Sequence, residues 1–205
     1  MMNDFPRLHS GHIPRLILAS ASPRRKDILA NAGYVFQIAL ADIDETPHVN
    51  ENPKKLALRL ALDKALFVSK KLKNTLVIGA DTLVVLENKI FGKPTTQKEA
   101  CAFLEALSGK THTVISAYAL ILAPTQIISH DYDKASVSFH QLTKLQIKKY
   151  VKTGEPMDKA GAYAYQGKGL KFIKEIKGAP ETIIGLPVAK LKPHLEKWMK
   201  KDHNS

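Results

Sequence analysis

The chain alternates between two hydrophobic periods. RLILAS (15–20) is an apolar run bounded by small polar residues and predicts a strand. KDILANAG follows SASPRR, with Ser22 as an N-cap, Pro23 at the first helical position and Gly33 as the stop, so the opening predicts strand, turn, helix. YVFQIAL (34–40) predicts a second strand, and ADIDETPHVNENP (41–53), acidic with two prolines, predicts a loop. A long helix is expected from Pro53 to about Lys73. TLVIGADTLVVLENKIFGKP (75–94) carries two β-branched runs, interrupted at Gly79 and at an expected turn at Glu87–Asn88. Residues 95–109 predict a helix closing at Gly109, and 111–140 predict two long antiparallel strands around Pro124. LTKLQIKKYVKTG (142–154) reads as an amphipathic helix, with Leu145, Ile147 and Val151 between lysines. A glycine-rich loop, a strand over 170–176 and a helix from about Pro187 to Lys201 complete the chain. Strands that alternate with helices around a central hairpin predict an α/β fold with a mixed sheet.

Length and composition narrow this picture. The 205 residues suggest one domain over 15–201, a loose leader over 1–14 and a short tail over 202–205. The hydrophobic fraction of 44% is that of an ordered globular chain. Cys101 is the single cysteine, which excludes an internal disulfide framework and a cysteine-based zinc site; its apolar helical setting predicts a core position. No run of about 18 apolar residues occurs, so no membrane span is expected, and the first residues lack the apolar stretch of a secretory signal. A soluble cytoplasmic setting is the expectation. The net charge is +12, of which Lys144–Ser205 contributes +8. Such a surface attracts phosphorylated ligands, nucleic acid or anionic lipid, and charge alone does not choose among them.

Four polar clusters fall at the ends of apolar strands, where α/β sheets build their sites. Ser20-Ala21-Ser22-Pro23-Arg24-Arg25 places two arginines in the first turn of a helix. They oppose the helix dipole, and an anion beside the free N–H groups would relieve that mismatch; a plain cap with solvated arginines is the alternative. Asp81 and Thr82 directly follow TLVIGA. A carboxylate at the end of a buried strand is costly unless paired or metal-bound, and suits a magnesium ligand or a general base. Asp42, Asp44 and Glu45 lie in a loop that could hold a hard cation or simply face solvent. Lys64, Lys93 and Gln166 form the fourth group: the lysines are point charges for phosphates, and a glutamine amide can read a base edge. Walker and GxGxxG spacings are absent, as is HExxH; Ser20 and Ser22 lack sequence partners for a hydrolase triad, and His112 reads as structural.

In order along the chain, LASASPRR (18–25), DETP (44–47), IGADTLVV (78–85), GKP (92–94), SGKTHTV (108–114), YVKTGEPMDKAGAYAYQGKG (150–169) and GLP (185–187) resemble the Maf family of nucleoside triphosphate pyrophosphatases. The resemblance implies a mixed, strongly twisted sheet with flanking helices and two lobes around a cleft, in a cytoplasmic and often homodimeric enzyme. It implies hydrolysis of a nucleoside triphosphate to the monophosphate and pyrophosphate with a divalent cation, magnesium first and manganese or cobalt next. Asp81 matches the catalytic acidic residue. Arg24, Thr82 and Gln166 match the substrate-discriminating positions, and Ser20, Arg25, Glu45, Lys64 and Lys93 match further polar site residues. Asp81 and Glu45 are the implied metal ligands.

Gln166 and Met157 are similar to the dTTP/UTP branch, whereas the 7-methyl-GTP branch carries Trp after Glu-Pro. Lys177–Thr182 departs from that branch's Ser-Tyr-His pattern, which bears on base preference, and Asp63 stands where Glu is commoner. Two other readings accompany this one. One is a purine or 7-methyl-GTP pyrophosphatase of the same family. The other is a non-catalytic nucleic-acid-binding or division-regulating protein, although no aromatic–basic interleaving supports nucleic acid as a partner.

Overall fold

A computed structural model describes residues 14–199. All but Pro14 of the leader expected over 1–14, the tail expected over 202–205 and the last two residues of the expected final helix lie outside the described residues. The strands are β1 (Arg15–Leu18), β2 (Gln37–Ile38), β3 (Thr75–Leu86), β4 (Lys89–Phe91), β5 (Thr111–Leu122), β6 (Gln126–Phe139) and β7 (Ile173–Lys177). The helices are α1 (Pro23–Asn31), α2 (Pro53–Ser69), α3 (Gln97–Leu107), α4 (Lys144–Val151), α5 (Pro180–Ile184) and α6 (Val188–Met199). Short 3-10 turns occupy Glu155–Asp158, Ala160–Ala162 and Lys168–Phe172. The strands form one sheet in the order β2-β1-β3-β5-β6-β7, with β4 paired to β3. β2, β1 and β3 run parallel, and the remaining pairings are antiparallel, so the sheet is mixed.

The long strands β3 and β5 serve two packing regions. At one end, Leu16, Leu18, Leu76, Ile78 and Leu120 pack against Leu29 of α1 and Leu191 and Leu195 of α6. On the opposite face Ile17, Val77 and Ile121 pack against Ala65 and Val68 of α2. At the other end, Val84, Leu86, Val114 and Val137 meet Leu104 and Leu107 of α3 and Ile147 and Tyr150 of α4. His112 sits in this second region. Its Nε2 lies 2.8 Å from the Tyr163 hydroxyl and its ring packs edge-on to Phe139, so its place is structural, as its sequence setting suggests. Burial lowers its pKa to about 4. Cys101 is partly buried against the same cluster.

Several elements differ from the sequence expectation. Gly79 does not interrupt β3, because β5 pairs with it continuously from Leu76 to Val85. The strand expected over 34–40 contracts to two residues, because β1 ends at Leu18 and its register pairs only Gln37 and Ile38. α2 stops at Ser69 rather than near Lys73. Leu145 does not face the core: it is 62% exposed, and the buried face of α4 is Ile147, Tyr150 and Val151. The strand expected over 170–176 starts only at Ile173, the first residue to reach β6; the turn before it buries Phe172. α5 was not anticipated, although Pro180 at its start and Gly185 at its end are ordinary helix punctuation.

Candidate active site

The site arises from a gap in strand pairing. β1 accompanies β3 only as far as Ile78, and β4 joins it only from Val84. Among the described residues, Gly79–Leu83 therefore has a strand neighbour on the β5 side alone. A cavity of about 810 Å³ opens along this bare edge. Because successive strand residues face opposite ways, Asp81 turns toward α2 while Thr82 turns toward α1 and α5; the bare edge admits a ligand to both.

Nine of the residues singled out in the sequence line this cavity: Ser20, Arg24, Arg25, Glu45, Lys64, Asp81, Thr82, Lys93 and Gln166. Asp42 and Asp44 do not. The Asp44 carboxylate instead accepts from the Thr46 amide, so the loop cluster contributes Glu45 only. Asp158, Lys159, Tyr163 and Tyr165 also line the cavity and were not picked out from the sequence.

Local packing sets the geometry at Asp81. A β-carbon on Gly79 would lie 2.1 Å from the Ala61 carbonyl oxygen, so α2 rests directly on the strand there. This close approach delivers Lys64 to Asp81, two residues further along β3. Lys64 Nζ lies 2.7 Å from both Asp81 Oδ1 and Glu45 Oε1. Asp81 Oδ2 is buried without a hydrogen-bond partner. Burial pushes the Asp81 carboxyl above the usual carboxylate range, against the opposing charges of Lys64 and Arg25. For Glu45, burial acts in the same direction, but the Lys64 hydrogen bond and the charges of Lys64, Lys93 and Arg25 together hold it below its ordinary value.

The two arginines do different work. Arg25 is a strut: Nε donates to the Gly185 carbonyl at 2.9 Å, Nη1 to Ser20 Oγ at 3.0 Å and Nη2 to Thr82 Oγ1 at 3.1 Å. The Thr82 hydroxyl also lies 2.9 Å from Ser116 Oγ, which in turn donates to the Thr182 carbonyl at 2.6 Å. The expected discriminating role of Thr82 thus meets a hydroxyl already engaged with Arg25 and the α5 segment. Ser116 was overlooked in the sequence; a hydroxyl inside the apolar run TVISAYALIL was its readable signal. Arg24 reaches across the cavity to the Asp158 carboxylate at 3.2 Å.

Five cations line the cavity (Arg24, Arg25, Lys64, Lys93, Lys159) against three carboxylates (Glu45, Asp81, Asp158). That surplus suits a polyanion. Among the described residues, no group of three or more His, Cys, Asp or Glu could hold a metal ion. The donor set nevertheless fits a hard cation that arrives with phosphates. Magnesium characteristically takes one or two protein carboxylates and fills its shell with water and phosphate oxygens; Asp81, whose Oδ2 is buried without a partner, and Glu45 both meet the Lys64 ammonium. No helix among the described residues is long and apolar enough to cross a membrane.

Comparison with known proteins follows the same lines. A family model described as Maf-like protein matches residues 15–198. A dTTP/UTP pyrophosphatase of Pelotomaculum thermopropionicum is 43% identical over 183 residues, covering 89% of this chain and 96% of its own length. One of Desulforamulus reducens is 46% identical over 178 residues, covering 86% and 92%. One of Bacillus cereus is 38% identical over 192 residues, covering 94% of each chain. A solved nucleoside-triphosphatase / dITP/XTP pyrophosphatase of Mycobacterium abscessus overlaps 87% of this chain and 92% of its own, at a TM-score of 0.40 and 11% identity, too remote to bear on function.

Proposed function

Because this chain belongs to the Maf-like proteins, we propose that it hydrolyses dTTP and UTP to the monophosphate and pyrophosphate. One observation carries the proposal: a buried carboxylate with a free oxygen, Asp81, stands in a cation-rich cleft large enough for a nucleotide. The names of the relatives support the same substrates.

In this reading the triphosphate lies along the bare edge of β3. Arg24, Lys93 and Lys159 meet its oxygens, and Arg24 exchanges Asp158 for phosphate as it does so. A divalent cation held by Asp81 and Glu45 would supply further charge neutralisation at the phosphates. Asp81 orients a water for in-line attack at the α-phosphorus and takes its proton. The new P–O bond forms as the bond to the β-phosphate oxygen breaks, and pyrophosphate leaves with that electron pair. Lys64 holds Asp81 in place through Oδ1, and Oδ2 has no hydrogen-bond partner. Such chemistry is mainly positioning and electrostatics, which the cluster provides.

Gln166 reads the pyrimidine edge, its amide accepting from N3–H and donating to a carbonyl oxygen. Cytoplasmic residence and a homodimeric state belong to the same proposal. Of the lysines between residues 144 and 199, Lys159 alone lines the cleft, so the basic C-terminal third bears little on the chemistry.

A panel of nucleoside triphosphates, assayed for pyrophosphate with and without magnesium, tests this function. Preference for dTTP and UTP with magnesium supports it. Preference for inosine or 7-methylguanosine triphosphate would transfer the activity to the purine reading. No pyrophosphate from any substrate, with salt-sensitive binding of nucleic acid, would replace the enzyme reading altogether.

A further inference from the structure

We infer that Glu155 is a positioning residue for substrate selection, acting through the loop that presents Gln166; this rests on the assignment of Gln166 to the base. Glu155 begins the short turn after α4, and its carboxylate gathers three groups. Oε1 accepts from the Tyr150 hydroxyl at 2.8 Å and from the Gly169 amide at 3.0 Å, and Oε2 accepts from the Lys168 amide at 3.1 Å. The Tyr150 oxygen in turn accepts from the Ala164 amide at 3.2 Å. Backbone groups on both sides of Tyr165-Gln166-Gly167 therefore end on one carboxylate, two directly and one through a buried phenol. Gly167 permits this closure: its φ is +96°, and a β-carbon there would lie 3.0 Å from Glu155 Oε2. Tyr163 fixes the start of the loop in the core against His112.

Burial would raise the Glu155 pKa, but the Lys168 amide, the Tyr150 hydroxyl and the Gly169 amide outweigh it, so the clamp is a carboxylate with charge-assisted bonds. Gln166 itself is exposed on the cavity wall. Its placement therefore depends on its loop, and the loop's anchor is Glu155. Glu155 does not line the cavity, so it acts on selection through this loop.

The test compares Glu155→Gln, Tyr150→Phe, Gln166→Ala and the Glu155→Gln/Gln166→Ala pair with wild type, using kcat and KM for dTTP and CTP and amide exchange over 164–169. Glu155→Gln keeps the shape but turns an NH2 group toward a backbone N–H. The expected result is a KM for dTTP raised about tenfold, the worth of about one hydrogen bond, with kcat falling less and the KM for CTP unmoved. Exchange over 164–169 should quicken. Tyr150→Phe should move both readouts the same way by less, and the pair should discriminate no worse than Gln166→Ala alone. Collapse of the dTTP/CTP ratio in Gln166→Ala but not in Glu155→Gln would overturn the inference, as would equal losses for both substrates. If Gln166→Ala leaves the ratio intact, the base assignment of Gln166 fails and this role of Glu155 in selection fails with it. In that case quickened exchange in Glu155→Gln would still identify it as the loop's anchor, and unchanged exchange would remove that too.

Discussion

The Ala61 carbonyl of α2 occupies the space where a β-carbon of Gly79 would lie, 2.1 Å from that position. Two residues along the strand, Asp81 receives Lys64 from the same helix. The glycine is thus part of how the site is assembled. Gly79→Ala should push α2 away, lower stability by about 3 kcal/mol and reduce turnover under conditions where the protein is still folded. Urea unfolding together with pyrophosphate assays well below the midpoint would check both effects. Wild-type turnover in a folded Gly79→Ala protein would separate the helix contact from the site.

Lys64 and Asp81 form a buried pair, and loss of one partner strands the other. Lys64→Met should cost about 3 kcal/mol, because Asp81 is then buried without the cation that hydrogen-bonds it. Lys64→Met/Asp81→Asn should recover part of that loss, and a double-mutant cycle in urea measures the coupling. Strict additivity would mean that the pair contributes nothing to the fold.

The Thr82 hydroxyl sits between Arg25 and Ser116. Thr82→Val keeps the shape and removes that link. Steady-state kinetics should show kcat/KM reduced about tenfold for every triphosphate tested, with the order of substrates preserved. A changed order would support the direct discriminating role expected from the sequence.

His112 supplies a pH dependence of stability. Its folded pKa of about 4 lies below the ordinary 6.5, so the unfolded chain binds more protons between those values, and stability falls as pH drops through that window. The loss from pH 7 to pH 5 should be about 2 kcal/mol. His112→Asn should lack this component, a difference that urea midpoints at the two pH values would show.

Much of this site was legible in the sequence because each part lies at the end of a recognisable element. Ser22-Pro23 announces a helix start, and Arg24 and Arg25 follow within its first turn. Asp81 stood out as a charge inside an apolar run. The remainder depends on long-range packing. Gly79 looks like a break until α2 is placed on it. Asp158, Ser116 and Glu155 act through partners far along the chain, or through backbone amides that leave no side-chain signature. Leu145 fits the apolar period of α4, yet the helix rolls to bury Tyr150 instead, whose hydroxyl donates to Glu155 and accepts from the Ala164 amide.

The central claim is that the Asp81 carboxylate performs the hydrolysis within this cationic cleft. Pyrophosphate release from dTTP by Asp81→Asn, with magnesium and a melting curve on the same sample, tests it most directly. The expected result is kcat lowered by about 10³-fold, a KM close to wild type and a melting transition that stays cooperative at a lower midpoint, because Lys64 loses one of its partners. A folded Asp81→Asn protein turning over dTTP at the wild-type rate would contradict it.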